Sequence, residues 1–204
     1  MKLIKRLTAF TLIELLVVIS IIAILASLAL PAITGALARG QMSQSLSNMK
    51  QLHLVAQQIA LDGQTAGDTN FAWPGDLPTA TRNWAGWAGI VTNGYMTSAD
   101  LAKMCSAPSV TASSNTIAGS STTLGVNRAV ILYGVTDTND SAAILFTTSN
   151  FTNLATPVAP IAAGKPYGTK GFVVFRKGGD GSVLQNNQAT NTNFVGGSTV
   201  CSNL

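Results

Sequence analysis

The chain has 204 residues, a formal net charge of +4, 47% hydrophobic and only 10% charged residues, where a soluble domain ordinarily carries about 25% charged. That balance excludes a disordered chain, which needs low hydrophobicity and high net charge, and a multi-span transporter, which needs several long apolar runs. The charge is far from the basic stripe of a nucleic-acid-binding protein, so no specific nucleic-acid binding is expected, and two cysteines are too few for a disulfide scaffold or a cysteine-rich zinc module.

The apolar residues are concentrated at one end. Leu12 to Leu30 is a run of nineteen residues whose only charge is Glu14; as a helix it spans about 28 Å, close to the hydrocarbon thickness of a bilayer. Ahead of it Lys2, Lys5 and Arg6 stand without an acid. Basic residues flanking a first apolar segment stay in the cytoplasm, so the rest of the chain is expected to be exported. Three readings fit such a start. A cleaved secretory signal would use Ala36-Leu37-Ala38 as its small-x-small site, although secretory apolar cores run only about 7 to 15 residues. An uncleaved anchor explains the length and charge bias and leaves Glu14 unexplained.

The third reading begins from Glu14. It is the only glutamate in the chain, and an ionised side chain inside an apolar helix costs about 2.5–3.5 kcal/mol at the helix centre, so it needs a partner. The segment Ala9-Phe10-Thr11-Leu12-Ile13-Glu14 resembles the processing motif of type IV prepilins and pseudopilins, a likeness that covers about the first 55 residues. The resemblance implies cutting by a prepilin peptidase between Ala9 and Phe10 and N-methylation of Phe10. It also implies assembly into a helical filament in which the new amine pairs with Glu14, and Pro31 falls where that family has a helix-bending proline. Ala9 departs from the family, which most often has glycine before the cut. Two buried charges that are each costly alone offset one another, and such a pair sets axial register. In the lone subunit Glu14 can also snorkel to the headgroups.

Beyond the apolar run Ile33, Leu37, Met42, Leu46, Met49, Leu52, Val55, Ala56 and Ile59 recur mostly at three- and four-residue spacing among Gln, Ser, Asn and Lys, which predicts one long helix with a half-buried second half. Pro31 is expected to kink or open it, and Gly35 and Gly40 to weaken it by about 1 kcal/mol each. Asp62-Gly63 is expected to end it, with Gly63 as the left-handed cap. His53, the single histidine, has no neighbour at ligand spacing and reads as a partly exposed helix residue. The organisation expected is a leader over 1–9, a membrane and assembly helix over 10–63, and an exported domain over 64–204.

In that domain Trp73-Pro74-Gly75-Asp76 reads as a turn, Trp84 and Trp87 as core, and Ser98 as the N-cap of a short helix through Met104. Residues 129–135, 143–147 and 171–176 read as strands, and Lys177 to Gly181 as a hairpin turn into 182–184. The fold class is therefore α+β, a long N-terminal helix packed on a small antiparallel sheet, which is also the pilin-like fold the resemblance implies. No Gly-x-Ser-x-Gly, phosphate loop or His-Glu-x-x-His is present. Acid–base chemistry would fall to aspartates alone, so neither enzymatic activity nor a cofactor is expected. No metal is expected, with Asp137, Asp140 and Asp180 in oxygen-rich turns as weak calcium candidates that lack an EF-hand's spacing. Cys105 and Cys201 form a candidate disulfide if the domain meets an oxidising compartment. Lys165, Lys170, Arg176 and Lys177 make a modest basic cluster.

The expected partners are the prepilin peptidase and N-methyltransferase, inner-membrane lipid before assembly, an assembly platform, and further copies of the chain. The expected location is the bacterial inner membrane, single pass with the N-terminus cytoplasmic, and then a periplasmic or extracellular filament. A minor pilin or membrane-anchored adhesin is the alternative. Removing the leader leaves 195 residues with nine basic and eight acidic side chains, so most of the apparent basicity belongs to a segment that is discarded.

Overall fold

A computed structural model describes residues 11–112, 114–116, 122–124, 128–151 and 165–185. The first helix, α1 (Leu12–Ala66), is followed by α2 (Trp84–Thr92), α3 (Ser98–Met104) and six strands: β1 (Ser114–Thr116), β2 (Thr122–Leu124), β3 (Val130–Leu132), β4 (Ile144–Thr148), β5 (Phe172–Arg176) and β6 (Gly181–Leu184). A 3-10 turn covers Gly168–Lys170. The chain divides into two compact units with the boundary after Arg39.

In the first unit the described residues are helical from Leu12, and its large apolar side chains, Leu12 through Leu37, are exposed. The segment is long and apolar enough to cross a membrane. Its hydroxyls close on their own backbone: Ser20 Oγ donates to the Leu16 carbonyl at 2.8 Å, Ser27 Oγ to that of Ile24 at 2.8 Å, and Thr34 Oγ1 to that of Pro31 at 2.9 Å. This leaves few polar groups needing water on a surface suited to lipid. The helix runs through Pro31 without interruption, so the local opening expected there does not occur. Proline removes a single donor, and the hydrogen bonds on either side continue the helix.

The second unit is built on the remainder of α1. Met42, Ser45, Met49, Leu52, Ala56, Ile59 and Gly63 are buried at alternating spacings of three and four, the geometry of one helix stripe facing a core. The helix ends three residues later than Gly63: it continues to Ala66, and Gly67, at φ +66°, takes the left-handed cap. Gly63 has a different task. A Cβ there would lie 1.5 Å from the Phe71 carbonyl oxygen, so its missing side chain lets the following loop fold back onto the helix.

The main sheet is antiparallel in the order β3-β4-β5-β6. Every residue of β4 is buried, as are Phe172 to Phe175 of β5, which identifies these as the central strands. Tyr133, Ile144, Phe151, Phe172, Val174 and Leu184 form a core cluster, in which the Phe151 and Phe172 rings stack at 4.8 Å. β6 meets α1 at Gly181, where a Cβ would stand 2.3 Å from Leu46 Cδ1 and 2.5 Å from Phe175 Cδ2 of β5. The class is thus α+β, with a long helix packed on a small antiparallel sheet. The strands at 130–132, 144–148, 172–176 and 181–184 fall where the apolar runs predict them. The antiparallel pair β1–β2 does not: its Ser-Asn-Thr and Thr-Thr-Leu segments carry no apolar alternation.

The sequence also gives no expectation of α2, whose Gly86 and Gly89 lower helix propensity. Packing overrides it: Trp84, Trp87, Ala88 and Val91 are buried at i, i+3, i+4 and i+7, and Asn83 caps the helix by accepting from the Gly86 amide at 2.9 Å. At α3 the cap is Thr97 rather than Ser98. Its hydroxyl oxygen accepts from the Asp100 amide at 3.2 Å, which places Ser98 in the first turn. The Trp73–Asp76 turn is present, closed by the Asp76 amide on the Trp73 carbonyl at 2.9 Å.

Candidate functional site

The chemistry singled out by the sequence lies at the start of α1. Ala9 and Phe10 fall outside the described residues; Thr11 is the first one placed. A helix begins with amide donors that have no intrahelical acceptor, and here two of them are satisfied reciprocally. The Glu14 amide donates to Thr11 Oγ1 at 3.3 Å, and the Thr11 amide donates to Glu14 Oε2 at 2.9 Å. The Thr11 hydroxyl donates to the same carboxylate oxygen at 2.6 Å. Thr11-Leu12-Ile13-Glu14 is therefore a capping box, with Thr11 as N-cap and Glu14 at the third helical position. The pattern Thr-x-x-Glu was present in the sequence and announces this role, which the expectation of an amine partner passed over. Two bonds from Thr11 converge on Oε2 and a third arrives at Thr11 Oγ1 from the Glu14 amide, while Oε1 accepts none among the described residues. The carboxylate is thus held by one oxygen at the Thr11 amide and hydroxyl, and its other oxygen is open to a further donor.

His53 departs from its expected exposure. It is 3% exposed, beside the buried stripe of α1, with its ring 5.2 Å from that of Phe175 and 6.2 Å from that of Trp73. Nε2 lies 2.7 Å from the Lys177 carbonyl oxygen and donates to it. Position 53 is four residues beyond Met49 and three before Ala56, which puts it on the inner face. The histidine pins α1 to the β5–β6 hairpin.

The weak calcium candidates are not brought together. Among the described residues no three His, Cys, Asp or Glu side chains converge to hold a metal ion. The Asp137 and Asn139 carbonyls, oxygens of the kind a cation would use, instead accept from the Lys177 ammonium, at 2.9 Å for Asn139. That ammonium also lies 5.4 Å from the Trp73 ring centre. Asp140 accepts from the Ala142 amide at 2.8 Å, and Asp180 is paired with Arg176. The basic cluster read from the sequence is dispersed by the same contacts: Arg176 and Lys177 are engaged, whereas Lys165 and Lys170 are exposed beside Tyr167.

Cys105 is a buried free thiol, pushed up to about 12 by burial and drawn back slightly by the Arg128 guanidinium. Its candidate partner, Cys201, lies outside the described residues.

No curated protein and no solved structure matches the chain. Residues 5–30 match the family model of the prokaryotic N-terminal methylation motif, a stretch that contains the Thr11–Glu14 cap and the whole of the apolar run from Leu12 to Leu30. The motif implies prepilin peptidase processing and filament assembly in general. At its N-terminus the chain carries the signature of type IV pilins and pseudopilins.

Proposed function

We propose that the chain is a structural subunit of a type IV pilus or pseudopilus filament. It is made as a precursor in the bacterial inner membrane with its N-terminus cytoplasmic, cut between Ala9 and Phe10 by a prepilin peptidase, and N-methylated on Phe10. An inner-membrane assembly platform then moves it from lipid into the filament. The observation that supports this most strongly is the methylation motif at residues 5–30, with Glu14 as the only acid inside the apolar helix.

Cutting after Ala9 places a cationic amine on the residue directly before Thr11. The carboxylate best placed to meet such an amine, on the same subunit or on a neighbour, is the one already held at Thr11 with Oε1 open. In lipid or in a bundle of apolar helices neither charge is cheap alone, and their pairing fixes how far one helix slides past the next. The test is to image surface filaments in producing cells with and without the gene. Filaments lost on deletion and restored by the full chain support the proposal. Filaments unchanged by deletion, with a chain that remains wholly in the membrane fraction, contradict it.

A further inference from the structure

At the end of α1 the second unit holds a cavity of about 340 Å³ whose wall is apolar and aromatic, from Ala60, Phe71 and Trp73, and whose other lining includes Asp68, Asp76 and Asp137. These three are among the seven aspartates of the chain, and among the described residues none of them forms an ion pair. Asp68 accepts from the Asn70 amide and side chain, both at 2.9 Å, and Asp76 from the Asp137 amide at 2.6 Å. The Lys177 ammonium lies 5.4 Å from the Trp73 ring centre but is held by the Asp137 and Asn139 backbone carbonyls rather than by a carboxylate, and Arg82 turns its Nε to the Leu77 carbonyl at 2.9 Å. Carboxylates around an aromatic wall suit a cation carried on an apolar stem, such as a lysine side chain.

The same unit presents two such stems at its other end. Tyr167 is tied to the beginning of this part of α1, its hydroxyl 2.6 Å from Ser45 Oγ and 3.0 Å from the Gln41 carbonyl oxygen. Lys165 and Lys170 flank Tyr167, exposed and without an ion pair among the described residues. Ser45 and Gly63 stand about 27 Å apart along the helix. One end of the unit therefore offers unpaired lysines and the other an aromatic pocket with unpaired carboxylates.

We propose that this pocket receives Lys165 or Lys170 of a second copy of the chain, so that copies join head to tail. The contact is between two different surfaces, and such a contact propagates into an open array rather than closing as a dimer. The proposal deepens the filament reading and rests on it for the identity of the partner. Charge pairs of this kind act mainly on register and partner choice, so the copies are set at one axial step even where the apolar helices could slide.

The test uses the full chain in producing cells. Reversing the pocket, with Asp76→Lys and Asp137→Lys, or reversing the lysines, with Lys165→Asp and Lys170→Asp, lowers filament yield roughly tenfold or more at an unchanged membrane level; combining both reversals restores it. A cysteine pair decides where a reversal lowers the membrane level. Asp137→Cys with Lys170→Cys, or with Lys165→Cys, places thiols too far apart to bridge within one copy, so under mild oxidant these variants give a ladder of dimers and higher species. Wild-type filament yield from either one-sided reversal, or no ladder from both cysteine pairs, overturns the proposal. The ladder is read in membranes whether or not filaments form: filaments without a ladder sink only this contact, and an absence of filaments from the wild type sinks the filament reading.

Discussion

Glu14 and Thr11 hold each other across the first turn of α1, the carboxylate on the Thr11 amide and hydroxyl and the Glu14 amide on the Thr11 hydroxyl oxygen. One carboxylate thereby serves two purposes that mutation can separate. As a cap it needs only an acceptor, and glutamine serves that position as well; as a partner for an amine in an apolar bundle it needs charge. Glu14→Gln is expected to insert in the membrane and to be processed normally, yet to be lost from filaments as fully as Glu14→Ala. Thr11→Ala removes the cap, worth about 1 kcal/mol, and is expected to reduce filament yield only partly. Comparing sheared-filament and membrane fractions by immunoblot checks both; filament yield from Glu14→Gln equal to wild type would show that the cap alone matters.

His53 joins α1 to the hairpin through a partly buried hydrogen bond to Lys177 and a ring contact with Phe175, and it also touches Trp73. His53→Ala removes the imidazole and leaves the Lys177 carbonyl without that donor. The combined loss of packing and of a partly buried hydrogen bond is expected to destabilise the chain by roughly 2–4 kcal/mol, read as a lower melting temperature of the detergent-solubilised protein. His53→Gln, which can still donate, is expected to recover part of it.

Lys177 supplies the positive charge in the 136–140 turn. Chelation of divalent ions is therefore expected to leave the melting temperature unchanged, whereas Lys177→Met should lower stability by about 1–3 kcal/mol by removing the charged donor from two carbonyls. A marked drop on adding chelator, restored by calcium, would show that a metal shares the turn.

Gly63→Ala sets two effects against each other. Alanine gains about 1 kcal/mol of helix propensity, but its Cβ would sit 1.5 Å from the Phe71 carbonyl oxygen, where backbone must move; overpacking of this kind costs about 1–3 kcal/mol. The steric effect is expected to win, and faster proteolysis of the loop after Ala66 would report it. Gly67→Ala, strained by its positive φ alone, is expected to be milder, at about 1 kcal/mol.

The elements legible in the sequence are those whose pattern and packing agree. The apolar run, the stripe from Met42 to Ile59, and the strands around Val130, Ile144 and Phe172 all declare themselves by hydrophobic periodicity. Where local and tertiary preferences conflict, the sequence misleads. Asp62-Gly63 has the form of a helix stop, but Gly63 is taken up by the close approach of Phe71, and the stop passes to Gly67. His53 is polar by type and buried by position. The spacing of Trp84, Trp87, Ala88 and Val91 behind Asn83 signals α2, but it is obscured by two glycines. At the site the motif residues are legible because spacing defines them, while the Lys177 ammonium in the turn is not, since its contacts join segments about 40 residues apart.

Every later step proposed for the chain depends on cleavage of the bond between Ala9 and Phe10. Mass spectrometry of the chain recovered from sheared filaments, or from membranes if filaments are absent, reads the N-terminus directly. A mature chain beginning with N-methylated Phe10 is the expected result. An intact Met1, or a chain beginning near Arg39, would contradict it.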